Sequence, residues 1–177
     1  NVETVVSGTM PILDHIDPLT GAQSESGPVV SDIEFVVTLP ENVADGTDIP
    51  VVLFGHGLTT SRELVYLVAD MLAQRGYAAI SIDFPYHGAR SVCLGDFTCA
   101  GDARCGMNGQ CVHDNGSPGE IVTINSFWDD GFSVPTTSGL AFIDLDNIFA
   151  SRDHFIQALV DLCQLVRVIE DNDWNSI

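Results

Sequence analysis

Two stretches of the chain carry residue types whose spacing could do chemistry. The first is Gly55-His56-Gly57-Leu58-Thr59-Thr60-Ser61, placed where an apolar run ends and a helical pattern begins. Backbone N–H groups at such a junction lack intrahelical partners and can face an anion or a developing oxyanion, and glycines let the chain approach it closely. An ordinary tight strand-to-helix turn has the same composition. A phosphate cradle does not fit. The Gly-x4-Gly-Lys-Ser/Thr pattern needs a Lys and the chain has none, and Gly-x-Gly-x-x-Gly fails at Thr60.

The second stretch holds Cys93, Cys99, Cys105 and Cys111, each six residues after the last. Structural zinc sites use short Cys-x2-4-Cys knuckles, and none is present. Two disulfides are therefore expected, in any of about three connectivities, together with an oxidising, extracytoplasmic location, secreted or in the cell envelope. Cys163 lies in a helical apolar pattern and is expected in the core.

His15, His56, His87, His113 and His154 are isolated, without His-x-His or His-Glu-x-x-His spacing, so a catalytic zinc is not expected. A catalytic base needs a nucleophile and an orienting acid within reach. His56 is accordingly read as a structural residue that supports its turn by side-chain hydrogen bonding, and His87, in Tyr86-His87-Gly88, as a packed turn residue or a pocket wall. Arg90 and Arg152 are expected to pair with Asp83 or Asp153. The acidic strings Asp171-x-Asp173-x-Asn175 and Asp144-Leu145-Asp146-Asn147 read as solvated loops, because the first has Ser176 where a calcium loop needs Gly. No metal and no cofactor is implied.

The elements that must position these residues show in the hydrophobic period. Val2, Thr4 and Val6, then Ile33, Phe35, Val37 and Leu39, alternate as strands and predict a hairpin around a polar Asp14–Pro28 loop. Ile49–Phe54 and Tyr77–Ile82 read as strands buried on both faces. Between them Leu64, Leu67, Val68, Met71 and Leu72 form one helical face, with Thr60 or Ser61 as cap and Gly76 as stop. Strand, helix and strand together imply a parallel crossover. From Ala150 to about Glu170 a second helix is expected to bury Phe155, Ile156, Leu159, Val160, Cys163, Val166 and Ile169, and to turn Asp153, Gln157, Asp161 and Gln164 outward.

The chain has 177 residues, 25 Asp plus Glu against 6 Arg and no Lys, and a net charge of −19. Nucleic acid is thereby excluded as a partner and anionic lipid surfaces are disfavoured, since both are held by clustered cations. The mean hydropathy of +0.21 suits a globular core, and no apolar run approaches the roughly 20 residues of a membrane span.

Pro50-Val-Val-Leu-Phe-Gly-His-Gly-Leu58, then a helix, then Gly76-Tyr-Ala-Ala-Ile-Ser-Ile-Asp-Phe-Pro-Tyr-His-Gly-Ala-Arg90 resembles the first half of an α/β-hydrolase, and Ser151–Leu165 resembles the helix before the nucleophile strand in secreted bacterial lipase- and esterase-like members. The resemblance implies an α/β fold with a mostly parallel sheet, an N-terminal antiparallel hairpin and flanking helices. It implies that 1–177 is the N-terminal part of one such domain, with 84–149 a Cys-rich insertion acting as lid or rim. The family's Gly-x-Ser-x-Gly elbow is absent, and Gly131-Phe132-Ser133-Val134-Pro135 is a decoy without the final Gly. Nucleophile, acid and base, with the C-terminal half of the fold, are thus expected beyond Ile177.

By the same resemblance Leu58 supplies a backbone oxyanion donor, His56 and Gly57 shape the turn, and Tyr86 and His87 touch substrate. The implied partner is a small-molecule or lipid ester. Phe97, Phe127, Trp128 and Phe132 are candidates for an acyl pocket. A half sheet ending at a helix would expose an edge strand and an apolar helix face. The rival function is a hydrolase-like extracellular domain that binds a partner without catalysis.

Overall fold

The structure is a computed structural model that describes residues 1–41, 48–125 and 133–171. Phe127, Trp128, Gly131, Phe132, Asp173 and Asn175 lie outside the described residues. Strand β1 (Val2–Asp14) pairs antiparallel with β2 (Val29–Pro40), as the alternation predicts, with Met10 opposite Ile33 and Gly8 opposite Phe35. A side chain at Gly8 would have to displace the Phe35 ring. A Cβ would stand 2.8 Å from the Phe35 ring.

Strands β3 (Val51–Phe54) and β4 (Ala78–Ile82) pair parallel across the helical crossover, and the sheet order is β1-β2-β4-β3. The mostly parallel sheet implied by the resemblance is not what forms. Of the three pairings in this sheet, β1 with β2 and β2 with β4 are antiparallel and only β3 with β4 is parallel. The reason lies in the hairpin: its 13- and 12-residue strands outsize the 4-residue β3 and 5-residue β4, and β2 joins β4 directly. Two further ribbons are antiparallel, β5 (Arg104–Cys105) with β6 (Cys111–Val112) and β7 (Thr123–Asn125) with β8 (Ser133–Pro135). The flanking helices reduce, among the described residues, to α1 (Tyr66–Ala73) and α2 (Ile148–Asp171). Neither is long and apolar enough to cross a membrane.

Strand β4 is buried along its whole length, but β3 is not. It forms the sheet edge, with Val51 and Leu53 exposed, because no strand covers its outer side among the described residues. One face of the sheet packs Met10, Ile12, Ile33, Val37, Ile80 and Ile82 against Leu165 of α2. On the other, Val36 and Ala79 meet Val65.

Helix α1 follows a 3-10 turn at Arg62–Val65, and its buried stripe is Val65, Ala69 and Ala73. The expected face is rotated outward at Leu67 and Met71. Neither expected hydroxyl caps the start. Ser61 makes no side-chain capping bond and Thr60 turns back to the Gly57 carbonyl. The Arg62 N–H donates instead to Asp83 Oδ1 at 2.7 Å, so a carboxylate from the end of β4 satisfies an orphan amide. Gly76, at φ +76°, closes the helix as expected.

Helix α2 reverses its predicted orientation over most of its length, although Ile169 packs against the core as expected. Asp153, His154, Gln157, Ala158, Asp161 and Leu165 are buried, while Phe155, Ile156, Leu159, Cys163 and Val166 are exposed. The polar stripe faces inward because the end of β1 and the loop after it present unpaired groups to it. Gln157 Nε2 donates to the Leu13 carbonyl at 3.0 Å and its Oε1 accepts the His15 N–H at 2.8 Å. Asp153 accepts the Gln23 N–H, and His154 joins the carbonyls of Gly21 and Phe142. Asp161, fully buried, accepts from Gln157 and pairs with Arg90 at 2.6 Å. Burial pushes its carboxyl up, against the pull of Arg90. Leu159→Gln is therefore expected to change stability by less than about 0.5 kcal/mol, whereas Gln157→Leu should cost about 2 kcal/mol. Urea unfolding of both variants checks this, and the opposite ranking would restore the predicted orientation.

The cysteines pair as Cys93–Cys105 and Cys99–Cys111. They are most of the small core beneath the 93–121 segment, joined by Ala103 and Ile121. Phe97, expected near an acyl pocket, points outward with 84% of its surface exposed.

Candidate functional site

The turn after β3 places His56, Gly57 and Leu58 at the carboxyl end of the parallel pair. The imidazole of His56 is buried and bonded at both nitrogens. Nδ1 donates to the Gly57 carbonyl at 3.0 Å, and Nε2 accepts the Phe84 N–H at 3.1 Å. A carbonyl only accepts and an amide only donates, so a single neutral tautomer with its proton on Nδ1 satisfies both. Burial lowers the pKa of His56 in the same sense. This histidine has no free lone pair with which to act as a base.

The Gly57 carbonyl receives a second hydrogen bond, from the Thr60 hydroxyl at 2.7 Å. Two donors thus hold its oxygen. A trans peptide is planar, with C=O and N–H on opposite sides, so fixing the Gly57 oxygen directs the Leu58 N–H away from His56 and Thr60. Among the described residues nothing accepts from that N–H. Thr59 follows at φ +63°, a left-handed conformation that keeps the turn tight.

Gly57 and Leu58 border a cavity of about 430 Å³. Phe84, Phe142, Ile143, Phe155, Leu159 and Leu162 supply most of its wall, so the outward apolar side chains of α2 have a concave neighbour. Its lining contains no Asp, Glu, Lys or Arg. His87 belongs to the same wall, and its ring lies 4.8 Å from that of His56. Its Nδ1 donates to the Pro85 carbonyl at 2.9 Å, and Nε2 is buried without a partner.

Burial lowers the His87 pKa to about 4, from the ordinary 6.5 of a free histidine. Between those values the unfolded chain binds a proton that the folded state refuses, so stability rises with pH across that window and is lost as pH falls through it. Allowing for partial solvation, the loss from pH 7 to 4.5 is about 2 kcal/mol. Urea midpoints at the two pH values should show it, and His87→Gln should remove this part of the slope.

Tyr86 is not brought to this cavity. Its backbone is left-handed at φ +63°, its ring packs on that of His154 with centroids 4.5 Å apart, and it lines a second cavity of about 280 Å³ together with Asp14, Asp32, Arg90, Asn108 and Gln110. Burial pushes its hydroxyl up to about 12. Of the expected arginine pairings, that of Arg152 with Asp153 forms and that of Arg90 does not. Arg62, not Arg90, is the ion-pair partner of Asp83, while Arg90 pairs with Asp161 and donates to the Asp83 carbonyl, and Arg152 pairs with Asp153.

The residues that sequence reasoning missed are Thr60, whose hydroxyl was assigned to a helix cap, and the Thr137-Ser138-Gly139 return segment. The latter carried only a polar turn signal. Gly131 and Phe132 of the decoy lie outside the described residues, and Ser133 sits in β8 opposite Asn125, not at a strand-to-helix elbow. Comparison of the chain with protein-family models, with curated proteins and with solved structures finds no match.

Proposed function

We propose that this chain supplies part of the oxyanion site of a secreted serine hydrolase that cleaves carboxylic esters. One observation carries the reading: the Gly57 oxygen is held by His56 and Thr60, which leaves the Leu58 N–H directed away from them beside an apolar cavity. An N–H fixed before reaction costs no reorganisation when a tetrahedral intermediate places negative charge on the former carbonyl oxygen. The uncharged cavity wall suits a neutral, apolar acyl group. The resemblance of the two turns to lipase- and esterase-like hydrolases points the same way, and two disulfides accord with an oxidising location.

The nucleophile, acid and base are not assembled at this turn. In this proposal they come from sequence following Ile177, where a serine attacks the ester carbonyl, the alcohol leaves, and water hydrolyses the acyl-enzyme. The test is to extend the reading frame past Ile177 and assay short-chain p-nitrophenyl esters, with the elbow serine changed to alanine as control. Hydrolysis that disappears in the control is expected. No elbow, or no serine-dependent turnover across several esters, would favour a non-catalytic binding domain.

A further inference from the structure

The segment that returns from the disulfide-bearing insertion closes over the Gly57–Thr60 turn. Ser138, 2% exposed, sits between two loops. Its hydroxyl donates to the Thr60 carbonyl at 2.6 Å and accepts the Gly88 N–H at 3.0 Å. Next to it, the Gly139 N–H donates to the Tyr86 carbonyl at 2.7 Å. A Cβ on Gly139 would stand 2.5 Å from His87 Nε2 and 2.7 Å from the Thr59 nitrogen, so the return segment is seated against both turns with no room for a side chain.

These contacts form a continuous chain to the oxyanion donor. Ser138 fixes the Thr60 backbone, Thr60 places its hydroxyl on the Gly57 oxygen, and the Gly57 oxygen sets the direction of the Leu58 N–H. We infer that Ser138 is a positioning residue for the ester-cleaving site, holding the Leu58 N–H in place through Thr60 while touching no substrate itself. This rests on the proposed function for its catalytic consequence, but not for its geometry. It also gives the insertion a role beyond that of a rim, because the strap that ends it is part of the oxyanion turn's support.

The test compares the extended protein with its Ser138→Ala and Ser138→Thr variants, the latter keeping the hydroxyl. Backbone 15N relaxation at Leu58 and Thr59 reads the ordering of the clamped N–H groups directly, and it needs no catalysis. Alanine is expected to lower their order parameters from roughly 0.85 toward roughly 0.6 and to lower kcat on p-nitrophenyl butyrate by about tenfold to a hundredfold, with KM within about twofold; threonine should restore both. Unchanged order parameters in Ser138→Ala overturn the inference. So do lowered order parameters with kcat unaltered, or a change in KM alone. If the unaltered protein hydrolyses no ester, the ester reading fails, and the relaxation measurement still decides whether Ser138 holds the turn.

Discussion

Asp83→Ala is expected to remove about 3–5 kcal/mol of stability, a large part of the roughly 5–15 kcal/mol that holds a domain folded. The carboxylate is 1% exposed and fully used. One oxygen accepts the Arg62 N–H at 2.7 Å, and the other accepts the Ala89 N–H at 2.9 Å and pairs with the Arg62 guanidinium. Alanine would leave two amides unpaired and return Arg62 to Glu34 and Glu63 alone. The same site can be broken from the other side. Gly88 adopts φ +51°, and a Cβ there would stand 2.3 Å from both Asp83 oxygens, so Gly88→Ala must displace the carboxylate. The two substitutions should be strongly non-additive. Urea unfolding of the single and double variants decides it. A cost below about 1 kcal/mol for Asp83→Ala would show that the ion pair does not join the two crossover turns as described.

Thr60→Val combined with His56→Phe is expected to lower kcat of the extended protein by about 10²- to 10³-fold on an ester substrate, with KM little changed. Both hydrogen bonds to the Gly57 oxygen are lost, so the peptide is free to rotate and the Leu58 N–H no longer has one direction. Thr60→Ser keeps the hydroxyl and should retain most of the rate. Each single variant should fall between, because one donor still holds the oxygen. The measurement is steady-state kinetics on the same ester with the unaltered protein and each of these variants. An unaltered kcat in the double variant would remove the oxyanion role from Leu58.

The parts of the fold legible in the sequence are those fixed by local period and by punctuation. Alternation over Val2–Val6 and Ile33–Leu39 identifies the hairpin, and Gly76 marks the end of α1. The parallel pairing of β3 with β4 follows from strand, helix and strand. What local period does not contain is which neighbour each face meets. Val51–Phe54 is apolar enough for a central strand, yet it lies at the edge, since sheet order is a long-range property. The orientation of α2 is the sharpest case. Its apolar stripe is real, but the unsatisfied groups of Leu13, His15 and Gln23, brought from more than a hundred residues away, claim the polar stripe for the interior. The candidate site divides the same way. The glycine-flanked His56 is visible as a turn, while Ser138 and Phe142 reach it only through the tertiary fold.

The two disulfides interleave, Cys93 to Cys105 and Cys99 to Cys111, each spanning 12 residues. A protease that cuts once anywhere between Cys93 and Cys111 therefore severs a stretch that at least one bridge still spans. The two pieces stay covalently joined, migrate together without reductant and separate only when thiol is added. Neighbouring bridges of the same number, placed one after the other, would leave an unguarded peptide bond between them; the interleaved pair leaves none across the whole segment.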